Sequence, residues 1–210
     1  MTSLLALYPT FQQAQHALIE LLRHDEAAQY RLVAVDRERV YTAPAGGQFE
    51  VAYLETEDYG RVALARNGVD PYVADGRSTG ARIAGSLTDH HVTPDVAFAY
   101  AEGVRRGGTL LQVQAEEADA AEIRMILARH GAIDIDERAT AWRSAGWTQF
   151  DPNARAFTEA EIRAERERYD EVYAGDGVAI GNARLLDAEH GLFGERSATA
   201  EPEDRTTHPV

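Results

Sequence analysis

Arg105-Arg106-Gly107-Gly108 is the run whose residue types and spacing best suit chemistry. Two guanidiniums offer bidentate donors to an anion, and the glycines let backbone N–H groups approach it closely. The competing reading is a helix end, because cations are favoured at a helix C-terminus and glycine is the usual residue just beyond it. His90 and His91 are adjacent. With His130, Asp134 or Asp136 they would supply the imidazole and carboxylate ligands of a divalent metal, the basis of a metal-dependent enzyme. Against this, neighbouring residues of a strand point to opposite faces, and a histidine pair in a loop is usually solvated. Asp134, Asp136 and Glu137 are either a carboxylate cluster or, by their alternation, the solvated face of a strand. Trp142, Trp147 and Phe150 are the interface candidates. Such rings stack on planar ligands, but aromatics after a last strand more often close a core or meet a second subunit.

No catalytic residue is assigned, since the chain has no GxGxxG, P-loop, GxSxG, HExxH or EF-hand pattern. Cysteine is absent, which excludes disulfides, thiolate metal sites and cysteine nucleophiles. All 21 basic residues are arginine, so Schiff-base and phosphate-binding lysines are excluded too. The pattern calls for no cofactor. A formal net charge of −14 argues against a nucleic-acid partner or an anionic lipid surface. Residues 151–210 hold 14 acids against 7 arginines, so the last 60 residues carry half of that charge.

These groups need elements to position them. Ser3 to Tyr8 reads as a strand rather than a signal peptide, having no basic residues ahead of it. Thr10 and Gln13 have capping-box spacing, and Phe11, Ala14, Leu18 and Leu21 mark one buried face of a helix running to about His24. Tyr30 to Asp36 is a second strand. The same grammar returns with a strand at Thr109–Gln114, a helix at Glu116–His130 closed by Gly131, and a strand at Ala132–Asp136. Two β-α-β units in one sheet predict an α+β, ferredoxin-like β-α-β-β-α-β core, an antiparallel sheet with both helices on one face.

Residues 1–150 are expected to form this domain, with 41–93 as a central insertion. Within it Gln48–Glu55 alternates like a strand and finds a partner in Val62–Ala65, while Pro94 opens a helix towards Arg105. Residues 151–174 read as a charged helix, opened by a Thr158–Glu161 capping box and offering only Ile162, Tyr169, Val172 and Tyr173 for burial, hence a solvated appendage. Residues 175–210 have the composition of a disordered acidic tail.

Taken together, AEGVRRGGTLLQVQAEE and LARHGAIDIDERATAWRSAGW resemble the C-terminal half of bacterial general-stress, or heat-induced stress, proteins of the YflT-like family. The opening strand-helix-strand is similar to their N-terminal half. Relatives often carry a glycine-rich apolar segment between the halves; this chain has a polar, strand-like one instead. The resemblance implies a stress-response context and transfers no catalytic residues. The expected function is a non-catalytic, cytoplasmic protein with no membrane span, a homo-oligomer that also meets protein partners through the C-terminal helix and tail. The alternative is an anion- or nucleotide-binding sensor using Arg105 and Arg106, and the third reading is the metal-dependent enzyme.

Overall fold

The computed structural model describes residues 2–25, 28–36, 41, 49–67 and 76–175. Eleven elements run in the order β1 (Thr2–Tyr8), α1 (Phe11–His24), β2 (Gln29–Val35), β3 (Val51–Thr56), β4 (Gly60–Arg66), α2 (Thr79–Thr88), α3 (Pro94–Arg105), β5 (Thr109–Ala115), α4 (Ala120–Arg129), α5 (Ile135–Ser144) and α6 (Glu159–Gly175). The expected acidic tail lies outside the described residues.

The strands form one antiparallel sheet in the order β1-β5-β2-β4-β3, so the fold is α+β. β5 lies between β1 and β2, and the β3–β4 hairpin extends the sheet beyond β2. Because side chains alternate across a strand, each strand feeds two cores. Leu4, Ala6, Leu32, Ala34, Leu111 and Val113 pack under α1 and α4 with Leu18, Leu21, Ile123 and Leu127. Leu5, Leu7, Val33, Leu64 and Leu110 pack on the other side with Ile83, Leu87, Val96, Tyr100 and Trp142 from α2, α3 and α5. Helices therefore cover both faces rather than one, and all seven residues of β1 are buried. Each fully buried leucine contributes about 1.5–3 kcal/mol, which is why two such layers hold the sheet.

Three local expectations change. Ala132–Asp136 is not a strand: Ile133 makes a single bridge, its N–H donating to Leu7 O at 2.7 Å. Asp134 then caps α5, its Oδ1 accepting from Asp136 N at 3.0 Å and Glu137 N at 3.1 Å. The alternation ended in a helix because an aspartate at that position satisfies the free amides of a first turn. α2 lies inside the expected insertion, where no helix was foreseen ahead of Pro94. Gly80 is needed for contact: a Cβ there would sit 2.8 Å from Pro152 O. The third change is α6, which is docked rather than solvated; Ile162, Glu165 and Tyr169 are buried.

The Thr158–Glu161 capping box forms in full, and at Thr10 the hydroxyl half forms while the Gln13 side chain accepts from the Thr10 hydroxyl at 2.8 Å. Gln13 N donates to Thr10 Oγ1 at 3.3 Å, and Thr158 and Glu161 cap each other, Thr158 N donating to Glu161 Oε2 at 2.7 Å. Among the described residues no helix is long and apolar enough to cross a membrane.

Candidate functional site

The anion that Arg105 and Arg106 meet is the chain's own. Glu102 stands one turn earlier on α3, with only 1% of its surface exposed. Its carboxylate accepts from Arg105 Nε at 2.8 Å, Arg105 Nη2 at 2.7 Å and Arg106 Nε at 2.6 Å. Burial would lower the Arg105 pKa, but the hydrogen bonds and charge of Glu102 raise it above its ordinary value. Arg106 Nη1 reaches Glu165 on α6 at 3.2 Å, and the same oxygen accepts from Trp142 Nε1 at 2.6 Å. Both guanidiniums lie against the Phe157 ring, and Arg106 also covers Trp142.

Gly107 makes the turn at φ +92°, where a Cβ would meet Ile162 at 2.6 Å. Gly108 N donates to Gly103 O at 2.9 Å, closing the helix end. The four-residue run is thus a junction of α3, β5, α5 and α6, with two arginines balanced by two carboxylates. Sequence spacing contained Glu102 at i−3 and i−4 from the arginines; Glu165 lies 59 residues from Arg106 and left no local signal.

The interface candidates separate. Trp142 is 1% exposed and belongs to the core, with Trp147 packed edge-on at 5.8 Å. Phe150 stacks on Phe98 at 5.4 Å, and Phe98 is 39% exposed. His90 and His91 follow α2 in a turn where His91 has φ +65°. His90 Nε2 faces Arg31 Nη2 at 3.3 Å, and burial, then Arg31, lowers its pKa. Among the described residues no group of three or more His, Asp or Glu side chains is placed to hold a metal.

The two edges of the sheet differ, and sequence reasoning did not separate them. β1 is closed: Leu7 O accepts from Ile133 N, and Leu5 O, two residues away and therefore on the same side, accepts from Tyr100 OH at 3.1 Å. β3 carries no strand on its outer side among the described residues. Its hairpin is firmly held. Tyr59 is fully buried beneath the turn, and Asp58 accepts from Thr79 N at 2.6 Å and Thr79 Oγ1 at 2.5 Å. Arg61 covers the Tyr53 ring at 3.7 Å, and Tyr53 OH donates to Tyr41 O at 2.5 Å. Ala52 and Tyr53 remain exposed. A fixed strand whose outer side carries no strand among the described residues offers a template for a further one.

No protein-family model, curated protein or solved structure matches this chain.

Proposed function

We propose that this chain is a non-catalytic stress-response protein of the YflT-like kind, with a ferredoxin-like core, that acts by self-association through β3. The β5 strand between β1 and β2 supports the ferredoxin-like reading, with the Ile133 bridge standing where the fourth strand would lie and the hairpin as an addition. The observation that carries the functional reading is the contrast of edges: helices cover both faces, β1 is capped, and β3 has no strand on its outer side among the described residues.

A twofold axis through Tyr53 pairs β3 with its copy in antiparallel register. Tyr53 then meets Tyr53, Ala52 meets Leu54, and Val51 meets Glu55, so the Glu55 carboxylates do not face each other. Apolar pairs of this kind contribute about 0.2–1 kcal/mol each beyond the backbone bonds. Amide hydrogen exchange across a dilution series tests the contact. Protection in residues 51–56 should fall on dilution while β5 stays protected; protection of 51–56 that ignores concentration refutes the reading.

A further inference from the structure

The stretch 151–157, between α5 and α6, is tied by hydrogen bonds to the hairpin and to two helices. Pro152 O accepts from Ser78 Oγ at 2.6 Å, at the N-cap of α2. Ala156 N donates to Asp58 O at 3.1 Å, in the turn between β3 and β4. At the last residue of α3, Arg105 Nη1 donates to Arg155 O at 3.2 Å and Arg105 O accepts from Phe157 N at 2.8 Å. Ala156 is fully buried in the core that α2 and α3 share. The hairpin turn is therefore held from two sides, Asp58 by its carboxylate to Thr79 on α2 and by its carbonyl to this strap.

The strap is also the root of α6. Arg155 donates from Nη1 and Nη2 to the two Glu161 oxygens at 2.8 and 2.9 Å, and Glu161 Oε2 accepts from Thr158 N in the helix cap. Strap and helix thus form one arm. α6 is 17 residues long, yet among its described side chains only Ile162, Glu165 and Tyr169 are buried. An element with so few buried groups opens at lower free energy than the two cores, so the arm has a docked and a released state.

We infer that this arm controls the β3 edge. Docked, it fixes the turn at Asp58 and presents β3 as a rigid template; released, it frees the turn, and β3 pairs poorly. The inference rests on the self-association proposed through β3 and names its regulation.

Amide hydrogen exchange of the full chain tests the arm from its far end. Ile162 packs on Gly107, away from the hairpin, so Ile162→Ala loosens α6 without touching Asp58. At the lowest concentration of a dilution series, where copies are apart, this variant should exchange about tenfold faster or more in β3 and β4. α1, on the opposite face of the sheet, should be unchanged. Ala156→Pro removes the amide bonded to Asp58 and should have the same effect. Combined with Ile162→Ala it should add less than about threefold, because both open one contact. If Ala156→Pro does not fold, Ile162→Ala decides alone. In sedimentation Ile162→Ala should associate about tenfold more weakly than the parent. Parental exchange in β3 and β4, multiplying effects of the two substitutions, or undiminished association overturns the inference. A parent that is monomeric at every concentration refutes self-association through β3 instead, and exchange in β3 and β4 still decides whether the arm holds the hairpin.

Discussion

At the residue scale Glu102 decides the most. It is a buried carboxylate holding two guanidiniums, and removing one partner of such a group leaves uncompensated charge. Glu102→Ala should destabilise the protein by about 3 kcal/mol, read from chemical unfolding. Asp58 predicts a pH effect. Burial alone would raise its pKa, but hydrogen bonds from the Thr79 hydroxyl and N–H, together with backbone N–H groups at Asp58 and Tyr59, hold it below the ordinary 3.8. A folded value below the unfolded one means that its stabilisation is complete above 3.8 and is lost as pH falls through the lower folded value. Asp58→Asn should therefore show a smaller loss of thermal midpoint between about pH 7 and pH 3 than the parent. The helix-end nature of Arg105 to Gly108 was legible because glycine and arginine mark such ends locally. The bond from Ala156 to Asp58 was not, because only the folded chain brings those residues together.

At the element scale, what was legible followed periodicity and caps. α1, α3 and the hairpin formed where Thr10, Pro94 and the Gln48–Glu55 alternation placed them. α2 was hidden by Gly80, whose value is a close approach to Pro152 and not a turn. The α6 helix was misjudged because three of its turns look charged; its fixing groups are Ile162 against Gly107, Glu165 between Arg106 and Trp142, and Tyr169 under Arg138. Gly107→Ala tests that dock. A Cβ at φ +92° is strained and collides with Ile162, so the loss should be about 1–3 kcal/mol or more. Limited proteolysis should cut α6 faster in this variant, and unchanged cleavage would argue against the dock.

At the scale of the whole molecule, three layers confine the proposed association to an edge. Sheet faces are spent on the two cores, and β1 is capped by Tyr100 and Ile133. Net charge was legible from composition and keeps copies apart at long range, so a contact must be short-ranged and apolar, as Ala52, Tyr53 and Leu54 are. Which edge is capped was not legible, because it depends on a bridge of one residue and a tyrosine hydroxyl from another layer. Sedimentation mass at micromolar concentration, comparing the parent chain with Tyr53→Glu, tests self-association most directly. The substitution sets like charges opposite each other at the twofold axis while Arg61 beside it offsets the charge within each copy. The parent should be a dimer or larger and the variant a folded monomer. A parent that stays strictly monomeric, or a folded variant that associates as the parent does, contradicts the account.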